Sequence, residues 1–194
     1  MKKALFAVAL FLTCIALSQN AMAKAAKSSD LGLSRLGVDA GLVDPEAASS
    51  TLGFGAFADW GNLSPDVRLS SQLGYWSKSE GDFGAEASVR DVSIGARAKY
   101  MFHVKSKVQP YAGAGLGLHF FHTKVSFPDV DMGGGFIVPG FTVEDSATKL
   151  GFDLGGGVSK PLSPKTDLFA DIWYTLADID QFSMKVGVSF LLSR

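Results

Sequence analysis

The sequence predicts an all-β protein, an eight-stranded antiparallel up-and-down transmembrane β-barrel. Three observations predict this fold. Apolar and polar side chains alternate along eight segments, which is the pattern of strands with one apolar and one polar face. Charged residues collect in the polar rows and are nearly absent from the apolar rows. Long and short connections alternate between the segments, as expected for a meander of antiparallel strands.

The chain begins with the pattern of a secretory signal peptide. Lys2 and Lys3 precede an apolar segment at 4–17, and Ala21-Met22-Ala23 is a small-x-small cleavage site. The apolar segment is shorter than the roughly 20 residues that a spanning helix needs. We therefore expect residues 1–23 to be removed after Ala23 and residues 24–194 to form one barrel domain.

The composition limits the possible functions. The single cysteine, Cys14, lies in the predicted signal peptide, so the mature chain would carry no disulfide and no thiol nucleophile. Without Lys2 and Lys3, 16 of the 18 basic residues remain against 19 acidic ones, a formal net charge of −3. This balance predicts no nucleic-acid partner. No later apolar run is long enough for a membrane-spanning helix.

Eight strands of roughly 9 to 14 residues are predicted, about the length of a tilted bilayer crossing. The clearest is 182–192, where apolar residues alternate with Ser, Lys and Gly. The other seven are predicted at 33–43, 51–61, 67–77, 92–104, 110–121, 152–158 and 167–176.

The connections between these strands fall into two kinds. Because neighbouring strands are antiparallel, the long loops share one end of the barrel and the short turns share the other. Short turns are predicted at 61–66, 103–109 and 160–167, long loops at 43–50, 77–91 and 122–149, and a brief loop at 177–180.

The charges on the polar rows favour a membrane barrel over a soluble one. A soluble barrel points its large apolar side chains inward, whereas a membrane barrel turns them toward lipid and keeps charges in the lumen. A secreted soluble β-protein remains the alternative. The polar rows hold five basic and four acidic residues: Arg35, Asp39, Asp59, Arg68, Arg97, Lys99, Asp153, Asp171 and Lys185. Aromatic residues near strand ends fit an interfacial girdle: Trp60, Tyr75, Tyr100, Phe102, Tyr174 and Phe190.

The segment PYAGAGLGLHFF (110–121) places three glycines, Gly113, Gly115 and Gly117, on one face of a strand. An eight-stranded barrel is only just wide enough for its interior side chains. We predict that the glycines leave space for long Arg and Lys side chains on the opposite wall. Four further glycines would help: Gly53, Gly55, Gly155 and Gly157.

These features resemble the outer-membrane β-barrel superfamily of Gram-negative bacteria, in particular the eight-stranded group of the OmpA transmembrane domain, OmpX and opacity-type surface proteins. The resemblance is carried by the AMA-ending signal, VQPYAGAGLGLHF (108–120), DLFADIWYTL (167–176) and FSMKVGVSFLL (182–192). It implies location in the cell outer membrane, contact with outer-membrane lipid and lipopolysaccharide, and insertion by the barrel assembly machinery. The last strand departs from the family pattern, because Phe190 is followed by four further residues.

No catalytic, cofactor-binding or metal-binding residues are predicted. His119 and His122 fall on opposite faces of one strand, so we expect no shared role for them. His119 is expected to be hydrogen-bonded in the lumen, and His103 lies beside a short turn. The acidic residues of the longest loop suggest calcium but lack EF-hand spacing: Asp129, Asp131, Glu144 and Asp145.

The long segment 122–149 is the candidate surface-binding loop. It either continues the strand pair as a hairpin with its turn near 132–135 or binds a surface partner. We predict a non-enzymatic barrel with a structural, surface-interaction or adhesin-like role. The alternatives are a small porin-like channel or transporter, and a lipid-modifying outer-membrane enzyme with His119 as its base. The segment is unusually apolar for a solvated coil: Phe127, Phe136, Ile137, Val138 and Phe141.

Overall fold

Eight antiparallel strands close into a barrel in the computed structural model, which describes residues 30–192 apart from 47, 83, 135 and 136. The predicted signal peptide at 1–23 lies outside the described residues. Two short strands pair within one connection, β6 (Val130–Asp131) and β7 (Ile137–Val138). The barrel strands are β1 (Asp30–Pro45), β2 (Thr51–Ser64), β3 (Val67–Asp82), β4 (Ala85–Met101), β5 (Gln109–Phe127), β8 (Phe141–Ser163), β9 (Thr166–Leu176) and β10 (Gln181–Leu191).

Each barrel strand pairs with its neighbours along the chain, and β1 closes the sheet by pairing with β10. This is the predicted up-and-down order. The register is regular except at local shifts such as the one between Asp59 and Asn62, where Gly61 has a φ of 86°. A glycine adopts this positive φ without the cost that a side chain would add.

The two faces of the strands are those predicted for a membrane barrel. Leu116 and Val186 are 55% and 61% exposed on the outside, whereas Asp153 and Trp173 are each 1% exposed in the lumen. An exposed apolar belt around a polar interior suits a lipid environment. Among the described residues, no helix is long and apolar enough to cross a membrane.

The aromatic residues predicted at strand ends lie on the outward face. Trp60 and Phe190 are exposed near the end of the barrel that carries the short turns, which we call the turn end. Tyr100 and Phe102 lie at the same end with their ring centroids 5.1 Å apart. Tyr75 lies toward the opposite end, which we call the loop end.

The predicted strand length holds for β2, β9 and β10, which have 14, 11 and 11 residues, but it was wrong for the other five barrel strands, which run from 16 to 23 residues. The segment 77–91 is mostly strand, since β3 and β4 stay paired as far as Asp82 and Ala85. The segment 122–149 is a hairpin, with β5 and β8 paired as far as Phe127 and Phe141. Of the two interpretations of 122–149, the structure therefore shows the hairpin, with its tip beyond the paired strands β6 and β7.

The longer strands build a four-stranded sheet beyond the barrel wall at the loop end. We call it the projecting sheet. β1, β2, β9 and β10 end at the wall itself, near Pro45, Thr51, Leu176 and Gln181. The projecting sheet consists of 77–82 of β3, 85–90 of β4, 122–127 of β5 and 141–149 of β8.

Because of the apolar belt, we expect the same substitution at two similarly exposed leucines to lower the free energy of unfolding by different amounts. Leu116→Arg, in the middle of the belt, should lower the free energy of unfolding by about 2–4 kcal/mol. Leu162→Arg, 58% exposed beside the turn 164–165, should cost at most about 1 kcal/mol. Urea titration of the mature chain in lipid vesicles, followed by tryptophan fluorescence, measures both. Equal costs would show that the belt is misplaced.

Candidate functional site

The lumen is the first candidate site because the charged residues converge there on Asp153. Asp153 Oδ2 accepts hydrogen bonds from Arg97 Nε and Gln72 Nε2, each at 2.9 Å, and Oδ1 accepts one from Thr175 Oγ1 at 2.7 Å. Thr175 is directly paired with Asp153 on the neighbouring strand β9, Arg97 on β4 reaches it over Gly115 of β5, and Gln72 reaches it from β3, three strands away. A buried carboxylate with this many donors is compensated for its lost hydration. We call these four residues the central network.

Trp173 fills the lumen next to the central network. The guanidinium carbon of Arg97 lies 3.9 Å from the centroid of its indole ring, a cation–π contact. A Cβ at Gly155 would lie 2.7 Å from Trp173 Cδ2, and a Cβ at Gly115 would lie 2.6 Å from Arg97 Cγ. The glycines make room for long side chains as predicted, but Arg97 and Trp173 lie on the directly paired neighbouring strands and not on the opposite wall. The largest side chain that they admit is a tryptophan, which was not predicted.

A second layer of side chains crosses the lumen toward the turn end. Lys99 Nζ lies 4.8 Å from the ring centroid of Phe57 and 5.4 Å from that of Tyr111. The Tyr111 hydroxyl donates to Asp171 Oδ2 at 3.1 Å. Phe57 also packs edge-on against Phe169, at a centroid distance of 5.3 Å. The narrow barrel is thus filled on both sides of Trp173.

A third layer closes the loop end around Asp91. Asp91 Oδ2 lies 2.7 Å from His119 Nδ1 and accepts a hydrogen bond from Gln181 Nε2 at 3.1 Å. Gln181 Oε1 in turn accepts from Trp76 Nε1 at 3.0 Å. His119 is therefore hydrogen-bonded in the lumen, as expected. Its partner was not predicted, because Asp91 fell in a segment interpreted as a loop.

Most of the nine predicted lumen charges form ion pairs. Besides Arg97 with Asp153, Lys185 lies 3.2 Å from Asp39 and Arg68 lies 3.7 Å from Asp59. Arg35 pairs with Asp167, an acidic residue left out of the predicted set. The remaining two, Lys99 and Asp171, make the ring and hydroxyl contacts of the second layer.

Three buried polar atoms near the second layer have no hydrogen-bond partner among the described residues: Asp59 Oδ1, Asp171 Oδ1 and Trp173 Nε1. Buried groups of this kind are usually satisfied by water. The turn end of the lumen is therefore suited to hold water, whereas the central network, where donors and acceptors meet directly, is the tighter barrier.

The projecting sheet is the second candidate site, and its two faces differ in chemistry. The face over the lumen is mixed: Val89 packs on the buried cluster of Val43, Trp76 and Phe121, and Lys78 and Glu80 lie on the same side of the sheet. Farther out on the hairpin, the rings of Phe127 and Phe141 stack at 4.7 Å. The opposite face is polar, with eleven outward polar residues: Ser77, Ser79, Glu86, Ser88, Arg90, His122, Lys124, Ser126, Thr142, Glu144 and Ser146.

Direct contacts hold the polar face in place. Lys124 Nζ lies 3.1 Å from Glu144 Oε1, and His122 Nδ1 lies 2.8 Å from Ser146 Oγ. The hydrogen bond from Lys124 lowers the pKa of Glu144, with further contributions from the positive charges of Lys124, His122 and Arg90. On this face Glu86 and Glu144 balance Arg90 and Lys124 in number, and Lys124 is the cation that Glu144 contacts directly.

Among the residues that the structure describes, no catalytic triad comes together. His119 has a carboxylate partner but no hydroxyl, and His122 has a hydroxyl but no carboxylate bonded to its ring among the described residues. A nucleophile–base pair needs a third group to orient the base. His103 lies apart from both, 3.3 Å from Asp66 at the turn end.

The acidic residues of the hairpin do not converge on a metal site. Asp129 accepts from the backbone of Gly140 at 2.6 Å, and Asp145 accepts from the backbone of Ser146 at 2.8 Å, while Glu144 pairs with Lys124. In the described parts of the chain, no three His, Asp or Glu side chains are grouped to hold a metal ion.

The central network predicts strong coupling between Arg97 and Asp153. Asp153→Ala should lower the free energy of unfolding by about 3–5 kcal/mol, because it leaves a buried guanidinium unpaired. Adding Arg97→Met should recover about 1–3 kcal/mol of that loss. The exposed pair Lys124→Met with Glu144→Ala is the control and should couple by less than about 1 kcal/mol. Urea titrations of the unsubstituted chain, the four single variants and the two double variants give both coupling energies; equal values would contradict the assigned role.

Comparison with known proteins agrees with this geometry. The structure is similar to Neisserial surface protein A (NspA), with a TM-score of 0.61 and 21% identity over 82% of this chain and 97% of that one. It is also similar to the N-terminal β-barrel of Pseudomonas aeruginosa OprF, with a TM-score of 0.51 and 16% identity over 83% and 99% of the two chains.

A third similar structure is Ail, the attachment invasion locus protein of Yersinia pestis, with a TM-score of 0.50 and 13% identity over 82% and 97% of the chains. At these identities the likeness concerns the fold. A search of curated proteins finds no match to the sequence. Residues 7–190 match the family described as the outer membrane protein beta-barrel domain, and the chain belongs to that family.

Proposed function

We propose that the chain is a non-enzymatic barrel in the outer membrane of a Gram-negative bacterium, exported after cleavage following Ala23, and that it holds a binding surface above the membrane. The observation that carries this proposal is the pairing of a filled lumen with a four-stranded sheet that projects beyond it. The loop end then faces the outside of the cell. Membrane lipid, lipopolysaccharide and the barrel assembly machinery are the partners that this location entails.

The filled lumen argues against a passage for solutes. The central network and Trp173 join opposite walls of the barrel, and ring-bearing layers lie on both sides of them. Moving a solute through would require breaking the Arg97–Asp153 pair in a water-poor interior, which is costly. The barrel is therefore better suited to support a surface than to conduct.

The mature chain should show no steady conductance in a planar lipid bilayer. The double substitution Arg97→Ser with Trp173→Ala, which empties the centre of the lumen, should introduce measurable conductance if the variant still folds. Retention of the boiling-dependent gel shift checks that folding. Steady ohmic conductance of the unsubstituted chain would instead support the small porin-like channel.

The tip of the β5–β8 hairpin supports a role in surface contact. Met132 and Ile137 are 69% and 58% exposed there, beside the exposed Val130 and Val138. Apolar side chains grouped at the far end of a water-facing hairpin are typical of interaction surfaces. Attachment appears in the name of one similar protein, Ail. For this chain, we propose adhesion to host or neighbouring cells through this tip.

Polar substitution of the tip should reduce adhesion and leave the barrel intact. Val130→Thr, Met132→Gln, Ile137→Thr and Val138→Thr together should lower severalfold the number of expressing bacteria retained on an epithelial monolayer, or their settling from suspension. The matched control is Val104→Thr with Val108→Thr, exposed apolar residues in the connection at the turn end. Equal retention of tip variant, control and parent in both assays would rule out adhesion through the tip.

A further inference from the structure

The outward side chains of β3, β4, β5 and β8 form regular rows across the four strands. The row at the top of the apolar belt is Tyr75, Val92, Phe120 and Thr148. The next row toward the loop end is Ser77, Arg90, His122 and Ser146, and beyond it lies Ser79, Ser88, Lys124 and Glu144. The change from apolar to cationic and hydroxyl side chains thus takes a single row.

The position of these polar rows places them at the level of lipid headgroups. Successive rows are two residues apart along a strand, or roughly 6–7 Å. Arg90 and His122 therefore lie about that distance beyond Val92 and Phe120, which face the hydrocarbon. A lipid molecule whose acyl chains contact the belt would bring its headgroup against this face.

The chemistry of the polar rows fits phosphate. Arg90 offers a planar guanidinium fork, and its side chain forms no ion pair or hydrogen bond with any other described residue. Lys124 is the second cation, and serine hydroxyls surround both. Guanidinium and ammonium groups with neighbouring hydroxyl donors are the usual ligands of phosphate.

The shape of this face leaves room for an occupant beside the two cations. Seven outward residues, together with Val89, line an open depression of about 350 Å³: Ser77, Ser79, Ser88, Arg90, His122, Lys124 and Glu144. Arg90 and Lys124 lie on the neighbouring strands β4 and β5, where the apolar belt continues directly into the projecting sheet.

We propose that Arg90 and Lys124, with His122 and the adjoining serines, bind the phosphate groups of a phosphorylated glycolipid of the outer leaflet, the lipid A part of lipopolysaccharide. Glu144 is the group that a phosphate would displace from Lys124. This inference rests on the proposed membrane location of the chain and is independent of adhesion through the hairpin tip.

Titration of the refolded mature chain with bisphosphorylated lipid A tests the proposal. The chain is held in zwitterionic micelles with EDTA, which removes bridging divalent cations, and binding is followed by native mass spectrometry. Arg90→Gln with Lys124→Gln should weaken binding at least tenfold. The control is Lys105→Gln with Lys107→Gln, which removes two exposed cations from the connection at the turn end and should change binding less than twofold. Lipid A without phosphates should bind the unsubstituted chain at least tenfold more weakly.

Three results would overturn the proposal. Equal binding of dephosphorylated lipid A would show that phosphate is not recognised, and an equal loss in the control would show a general charge effect. Full competition by 10 mM inorganic phosphate would identify a site for free anions. None of these results bears on adhesion through the hairpin tip, because the tip variant changes different residues. A failure of the membrane location itself would appear separately, as a chain that folds without detergent.

Discussion

The interior of the barrel depends on the buried carboxylate of Asp153. Its two oxygens fix the side chains of Arg97, Gln72 and Thr175 from three other strands. Once Arg97 is held in this way, its guanidinium fixes the indole of Trp173 by covering one ring face. The glycines opposite are then required, because any Cβ there would meet these side chains. The glycines and the large side chains of the lumen therefore depend on one another.

The polarity of the two strand faces reverses where the chain leaves the membrane. Along β4, the inward side chain changes from Asp91 to Val89 and the outward side chain changes from Val92 to Arg90, two residues closer to the loop end. The reversal follows from the surroundings. Within the membrane, the outer face meets hydrocarbon, and beyond it the outer face meets headgroups and water while the inner face covers the apolar cluster around Trp76.

The parts of the fold that lie in the membrane could be predicted from sequence, because hydrocarbon imposes strict alternation there. The projecting sheet could not, since Ser77-Lys78-Ser79-Glu80 is polar on both faces and resembles a loop. Because 77–91 was predicted to be a loop, Asp91 was missing from the predicted lumen charges. The ion-pair partners could not be predicted either: Arg97 and Asp153 are 56 residues apart and meet because strand pairing places them on either side of Gly115. The cationic patch depends equally on register, because Arg90 joins His122 only through strand pairing.

The projecting sheet has two strand edges with a single neighbour, which ordinarily invites pairing with other chains. Both edges are braced. Ser49 donates to Glu80 from the β1–β2 loop, and this hydrogen bond lowers the pKa of Glu80, while Lys149 pairs with Asp178 of the β9–β10 loop. Charged side chains at an edge also oppose the approach of a further strand. With both edges tied to the barrel and the inner face over the lumen, the outer face and the hairpin tip are the surfaces left open to partners.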